Sequence, residues 1–459
     1  MTTAYDIAIV GYGPTGATLA NLLGLQGYRV AVIEREPGLQ PLPRAVHFDG
    51  EVMRVFETAG LAAQILPIIR PSGGIRHVNS AGHLMIERKP ALGTGAHGWA
   101  NNYLFHHPDL EGALRDGVAR FPKVAVFLSE EVLSLSQSED AVELKTSKRT
   151  IQSRYVVGCD GARSIVRQAI GSGHHDLGLH QPWLVVDVLL ERDVDLPAQT
   201  VQYCDPARPV TYVRVSARRR RWEIMLMPGD DAETMTRPET VWRLLAPWLR
   251  PGDARLERGA VYAFHSLIAK RWRARRLLIA GDAAHQTPPF LGQGMCAGIR
   301  DAANLAWKFA RKDLLDTYQS EREPHVRVFI EEALRLGNII QTTDPRVAAE
   351  RDRRFLEGGK EEMVNLSPPL GPGFHRGRGE IFPQPLLADG RRLDEAIGGY
   401  HFAVLCPFET DFPHIRIEGP EAIVLRPDRY VYGAARTRAE LQDLLGGMSH
   451  ESKTAESRH

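Results

Sequence analysis

The chain has 459 residues, 43% of them hydrophobic and 25% charged, with a formal net charge of +1. That length suffices for two or three domains, and the near-neutral balance excludes a bulk electrostatic footprint for nucleic acid or an acidic membrane. No apolar run approaches the roughly 18 residues of a spanning helix, and no basic region precedes an early apolar stretch. Cys159, Cys204, Cys296 and Cys406 form no CxxC pair, so neither a metal site nor a disulfide framework is indicated and a cytoplasmic setting fits best.

The first element is a short buried strand over 5–10, YDIAIV, followed by Gly11, Gly13 and Gly16 at GxGxxG spacing and a helix over about 15–26. Gly11 makes the tight strand-to-helix turn, Gly13 lets backbone approach a pyrophosphate, and Gly16 lets the helix pack closely on the strand. The helix N-terminus then offers free N–H groups to phosphates. A second strand, YRVAVIE, ends at Glu34, 18 residues after Gly16, near the spacing of about 20 at which an acid meets the adenosine ribose. These features predict a dinucleotide cradle without separating FAD from NAD.

Two later segments favour FAD. The strand YVVGC ends in Asp160-Gly161, with a helix starting near Ser164, and the strand RLLIA ends in Gly281-Asp282. An acid just beyond the carboxyl end of a parallel strand points into the ligand crevice. Such a second acid suits the sugar-alcohol chain between flavin and phosphate, which a plain NAD enzyme does not bind. Between these motifs, 181–228 and 259–272 read as short alternating β segments. Arg218 to Arg221 read as a solvated hairpin tip. Pro288-Pro289 stiffens the chain after the second acid, Gly292 and Gly294 allow backbone to approach a flat ring, and a helix from near Met295 to about Ala310 presents its positive end to the ligand.

Together, GYGPTG, CDGARSIVR and AGDAAHQTPPFLGQGMCAGIRDAANLAWK resemble the glycine loop, DG motif and GD motif of the flavoprotein aromatic hydroxylases of the para-hydroxybenzoate hydroxylase type. The resemblance covers about residues 4–345 and implies an α/β fold. It has a Rossmann-like FAD-binding domain (1–75, 100–180 and 270–345) and an inserted, mostly antiparallel β-sheet substrate domain (76–99 and 181–269). A Gly- and Pro-rich linker (346–398), a thioredoxin-like C-terminal domain (399–447) with packing or homodimer contacts, and a flexible tail (448–459) follow.

For cofactor binding the resemblance implies Gly11, Gly13, Pro14, Thr15, Gly16, Glu34 and Arg35 around the ADP half, and Arg44 beside the pyrophosphate. It places Asp160 near the pyrophosphate, Asp282 on the ribityl chain, and Pro288, Gly292, Gln293, Gly294 and Met295 along the flavin. His107 stands where the family has a glutamine that touches the cofactor. His47, Tyr203 and Tyr212 are candidate proton-handling residues, with Pro288 walling the active site, and Asp49, Arg214 and His265 are candidate substrate contacts.

The implied cofactors are FAD, NADH or NADPH as a transient co-substrate, and O2; no metal is expected. The implied reaction is hydroxylation of a phenol ortho to its hydroxyl through a flavin C4a-hydroperoxide. PRAVHFDGEVMRVFETAGL, YLFHHPDL and PWLVVDV are similar to the 3-(3-hydroxyphenyl)propanoate hydroxylase branch, whose product is the 2,3-dihydroxy acid. A polyketide aromatic hydroxylase and a non-hydroxylating FAD-dependent reductase are the alternatives.

Overall fold

A computed structural model describes residues 5–39, 44–90 and 93–450. The first sheet has a parallel core in the order Leu277–Ile279, Thr150–Gly158, Tyr5–Val10, Val30–Ile33, Val124–Phe127. Its central strands, Val30–Ile33, Leu277–Ile279 and the ends of Tyr5–Val10 and Thr150–Gly158, are apolar and buried on both faces, as a helix-covered parallel sheet requires. The registers Val10↔Gly158, Val10↔Ile33 and Gly158↔Ile279 bring four strand ends to one edge. Gly11, Glu34, Asp160 and Asp282, scattered along the chain, therefore share the crevice beyond the carboxyl ends of one sheet.

The second sheet has nine strands. In order they are His285–Gln286, Ala254–Ala269, His174–Leu190, Arg219–Met225, Val210–Arg214, Thr200–Cys204, Ile75–Asn79, Leu84–Arg88 and Glu361–Glu362. Most pairings are antiparallel, and the two parallel ones join strands distant in sequence. One face packs Val186, Val201, Tyr212, Trp222 and Ile224 against the helix Pro238–Leu245. The other face packs Ile86, Trp183 and Met225 with Phe290 and with Phe329, Ala333 and Leu336 of the long helix Thr317–Ile340. Both faces are covered, so the substrate sheet bears its own core and holds a rigid inner surface towards the first sheet.

The structure corrects three sequence expectations. The stretch 346–398, read as a linker, contains the helix Pro345–Gly358, capped by Asp344. Arg351 from this helix donates to the Cys204 carbonyl at 2.8 Å, and Phe355 and Met363 are buried. The helix Arg438–His450 extends into the stretch read as a flexible tail, of which 451–459 lie outside the described residues. Arg219, Arg220 and Arg221 lie in a strand, and Arg220 and Arg221 are buried. Residue alternation gave no warning there: Arg221 pairs with Asp187 of a distant strand, and Arg220 donates to the backbone carbonyls of its own turn.

The C-terminal unit is a four-stranded sheet in the order Ile415–Arg416, Ala403–Cys406, Ala422–Leu425, Val431–Ala435, closed by that last helix. It docks on the rest of the chain through buried ion pairs. Asp394, just before the sheet, meets Arg54 at 2.6 Å and Arg429 at 3.0 Å, and Arg426 meets Glu321 at 2.9 Å. Intramolecular packing is thus a use of this unit. No described helix is long and apolar enough to cross a membrane.

Candidate active site

The glycine loop forms as its residue types require. Gly11 has φ +98°, and a Cβ there would lie 2.4 Å from the Cys159 carbonyl oxygen. A Cβ on Gly16 would lie 2.1 Å from the Gly11 carbonyl oxygen. The two glycines let strand end, neighbouring strand and helix cross at contact distance. At Gly13 the Cβ position is open, with nothing within 4 Å, so this backbone faces free space. The helix Pro14–Leu25 that follows has no side-chain cap and no acid in its first turn. Its N-terminal N–H groups and positive dipole end are left for an anion.

Two cavities meet at this loop. One, of about 230 Å³, is lined by Gly11, Gly13, Glu34, Arg35, Asp160 and Arg163. Glu34 is fixed there by accepting from the backbone N–H of Tyr12 at 2.7 Å and of Glu36 at 2.9 Å. Asp160 Oδ2 accepts from Ile165 N–H at 2.8 Å and so caps the next helix. Its Oδ1 is buried with no partner among the described residues. Burial pushes the Asp160 carboxyl up.

The other cavity, of about 330 Å³, shares Gly13, Arg44, Glu111, Cys159 and Gly161 with the first. It runs from Pro14 and Thr15 past Asp282 and the Pro289–Met295 turn to the inner face of the second sheet, where Thr200, Gln202, Thr211, Val213 and Glu223 line it. The helix Gly294–Ala306 opens onto it, also without a side-chain cap. Asp282 lines this cavity and is open to it. Burial raises its carboxyl, and the nearby Arg44 charge opposes that rise. Gly292 has φ +68°, and a Cβ there would lie 2.9 Å from His47 Nδ1. The turn therefore needs glycine both for its backbone conformation and for its contact with the imidazole.

This donor set fits FAD. The cradle has uncapped helix ends for the pyrophosphate, an orphaned carboxylate oxygen on Asp160, a ribose acceptor in Glu34 and a second acid at the ribityl position. Arg44 lines both cavities, and its carbonyl accepts from Arg221 Nη1 at 2.6 Å. Arg221 is itself held by Asp187 at 2.7 Å.

The structure gathers some candidate residues and disperses others. His47 lines the larger cavity, with Nδ1 3.2 Å from the Gly292 carbonyl and Nε2 2.8 Å from Asn102 Oδ1. Both ring nitrogens face acceptor oxygens, to one of which a neutral imidazole can donate, and burial, assisted by Arg88, pushes its pKa down. His47 braces the Gly292 turn. His107 lines the cavity, with Nε2 3.3 Å from Glu111. Pro288 is buried at the start of the turn, whereas its neighbour Pro289 meets the cavity.

Tyr203 and Tyr212 do not reach the cavity. The registers Val201↔Tyr212 and Gln202↔Thr211 place Gln202 and Thr211 on the inner face and both tyrosines on the outer one. The Tyr212 hydroxyl donates to the Pro197 carbonyl at 3.0 Å, and the Tyr203 hydroxyl accepts from Trp248 at 3.3 Å. Arg214, two residues from Tyr212 on the same strand, shares its outer face. His265 is at the surface, with Nδ1 2.7 Å from His180 Nδ1.

Asp49 caps the helix Gly50–Thr58 and pairs with Arg300 at 2.6 Å, facing away from the larger cavity. Gln293 is turned the same way, donating to Asp49 at 2.9 Å.

Sequence reasoning missed Glu223, Arg88 and Arg300. Glu223 has a 12% exposed side chain that opens to the cavity, with the Arg221 guanidinium 3.8 Å away. Burial raises its carboxyl, Arg221 opposes the rise and Asp187 reinforces it. Strand alternation, which puts Glu223 on the same face as Arg221, was the one signal available. Among the described residues no group of His, Cys, Asp and Glu is arranged to hold a metal.

The comparisons agree with this geometry. The model of the FAD binding domain family matches residues 4–333. A probable NADH-specific resorcinol 4-hydroxylase from Rhodococcus jostii (strain RHA1) is 37% identical, over 96% of this chain and 94% of its own. A 3-(3-hydroxy-phenyl)propionate/3-hydroxycinnamic acid hydroxylase from Burkholderia cenocepacia (strain HI2424) is 36% identical, over 87% of this chain and 79% of its own. Among solved structures, aklavinone-11 hydroxylase with FAD and aklavinone superposes with TM-score 0.78 at 21% identity, covering 97% of this chain and 98% of that one. The flavin-dependent monooxygenase PieE with FAD and substrate does so with TM-score 0.80 at 19% identity, covering 98% and 99%. Fold and site define an FAD-dependent monooxygenase. The chain belongs to the FAD-binding family of flavoprotein aromatic hydroxylases.

Proposed function

We propose that this enzyme hydroxylates a phenolic aromatic acid ortho to its hydroxyl, using NADH and O2, with 3-(3-hydroxyphenyl)propanoate as the leading substrate and the 2,3-dihydroxy acid as product. The observation that carries the proposal is the single cavity joining the dinucleotide cradle at Gly13 and Thr15 to the inner face of the second sheet at Gln202, Thr211 and Glu223. The substrate assignment draws on the propionate hydroxylase relative, and NADH on the name of the resorcinol hydroxylase relative.

When bound, FAD supplies hydride acceptance from the nicotinamide and activation of O2. The chain's residues do the rest. The uncapped N-termini at Pro14 and Gly294 stabilise negative charge on the cofactor. Asp282 and Glu34 orient it through hydroxyl contacts. Ile75, Leu104, Val213, Phe290 and Met363 line the cavity with apolar surface that excludes water. Glu223 takes the phenol proton onto a carboxylate oxygen, which raises electron density at the ortho carbon, and returns it after oxygen transfer. His47 holds the Gly292 turn in place.

A second reading, hydroxylation of resorcinol itself, is favoured by the near-complete coverage of the Rhodococcus relative. A cytoplasmic setting and homodimerisation are part of the proposal. The first accords with four free cysteines, and the second is read by light scattering.

The test is NADH and NADPH oxidation by FAD-loaded protein with and without 3-(3-hydroxyphenyl)propanoate or resorcinol, coupled to product analysis. Stimulation with a hydroxylated product supports the proposal and selects the substrate. No stimulation by a broad panel of phenols overturns it in favour of a non-hydroxylating flavoprotein.

A further inference from the structure

Arg88 ends the strand Leu84–Arg88 on the inner face of the second sheet, set by its register with Ile75. It lines the large cavity and also a third cavity, of about 260 Å³, on whose wall lie Asn102, Asn365 and Ser367. Among the described residues its side chain makes no hydrogen bond or ion pair, in contrast to Arg221 and Arg300. Arg221 is bound to Asp187, and Arg300 to Asp49 and Glu51. Burial draws its pKa down to about 10, which leaves it cationic at neutral pH. A desolvated guanidinium without a counter-ion is costly unless a ligand supplies one. His47 and Asp49 lie near enough to feel its charge, but both are committed elsewhere, to Asn102 and Gly292 and to Arg300.

We propose that Arg88 is the anchor for the carboxylate of the substrate, so that the cavity is built for a phenol with an acidic side chain and discriminates against neutral phenols such as resorcinol. This rests on the hydroxylase reading above. The planar fork of the guanidinium suits two parallel hydrogen bonds to a carboxylate. The aromatic ring then lies between the Pro289–Met295 turn and Thr211, with its acid arm directed to the junction of the two cavities and its hydroxyl towards Glu223. Asn102, Asn365 and Ser367 give the arm a polar surround on the far side.

The test compares wild type, Arg88→Gln and Arg88→Lys, all FAD-loaded, with 3-(3-hydroxyphenyl)propanoate, its neutral analogue 3-(3-hydroxyphenyl)propan-1-ol, and resorcinol. Binding is read from the ligand-induced change in flavin absorbance, and turnover from NADH oxidation. In wild type the acid binds more tightly than the alcohol. Arg88→Gln weakens the acid by about 100-fold, as expected for loss of a buried charge-assisted pair, and leaves the alcohol and resorcinol within about twofold, inside the scatter of a surface-like change. Arg88→Lys falls between, because it keeps the charge and loses the fork. Equal shifts for acid and alcohol, or no shift for the acid, overturn the anchor while stimulated turnover of any phenol keeps the hydroxylase reading standing. No stimulation by any of the three compounds in wild type overturns the anchor, and no stimulation by a broad panel of phenols overturns the hydroxylase reading as well.

Discussion

Arg300 holds together the helix behind the flavin-side turn and the first domain, and replacing it by Met isolates that role. Its Nη2 lies 2.6 Å from Asp49, its Nε 2.7 Å from Glu51, and its Nη1 donates to Gln293 at 3.1 Å. The side chain is 3% exposed. Met fills similar volume but leaves two buried carboxylates facing an apolar group, and breaking a buried pair on one side costs about 3–5 kcal/mol. Unfolding entropy of about 2.1 cal/mol/K per residue gives roughly 1 kcal/mol/K for a chain of this size, so the loss lowers Tm by about 3–5 °C if the chain unfolds as one unit.

The pH dependence has a definite sign. Burial alone would lift the Asp49 carboxyl, but the Arg300 guanidinium overrides it and holds it well below the usual carboxylate range. In wild type this group therefore contributes stability above its ordinary pKa and loses it only as pH falls through the depressed value. In Arg300→Met only the hydrogen bonds from Gln293 and the Val52 N–H still oppose burial, so the carboxyl rises relative to wild type and the ionised form becomes more costly as pH increases. The Tm deficit is larger at pH 8 than at pH 5. A thermal ramp that follows flavin fluorescence at both pH values measures it. A drop below about 1 °C, or a deficit that grows on acidification, refutes the reasoning.

Two further outcomes follow from the site. Glu223→Gln removes the proton acceptor and lowers turnover by about 100-fold, in the range of general-base losses, and it abolishes an acid limb that in wild type lies above the ordinary carboxyl range because the Glu223 pKa is raised. The same raised pKa means that ionised Glu223 loses stability as pH rises through it, so the variant melts higher than wild type at pH 7.5, and an unchanged acid limb would sink the assignment. Gly16→Ala puts a Cβ 2.1 Å from the Gly11 carbonyl oxygen; strain of about 1–3 kcal/mol in the loop cuts the flavin-to-protein ratio of the purified protein, and full occupancy would contradict the packing argument.

The dinucleotide cradle was legible because its constraints are local. Gly11 and Gly16 are demanded by contacts of a few atoms within one strand-turn-helix unit, and the acids at 34, 160 and 282 each follow directly on an apolar strand whose end is visible in the sequence. Asp49, read from the sequence as a substrate contact, is a side-chain cap before Gly50–Thr58 paired with Arg300, a partner 251 residues away in the chain.

The substrate end was decided by tertiary structure. Alternation in the strands at 200–204 and 210–214 shows that two faces exist, but which face meets the cavity is set by the register and by what packs on each side. One choice of face sends Tyr203, Tyr212 and Arg214 outward and brings Gln202, Thr211 and Glu223 inward. Arg88 enters the site through the pairing of Ile75–Asn79 with Thr200–Cys204, a parallel contact between segments more than a hundred residues apart. The chain thus announces by itself what cofactor it is built to hold, because that cradle rests on backbone conformation. What it grips beside the cofactor depends on side-chain direction across nine strands, which only the folded sheet fixes.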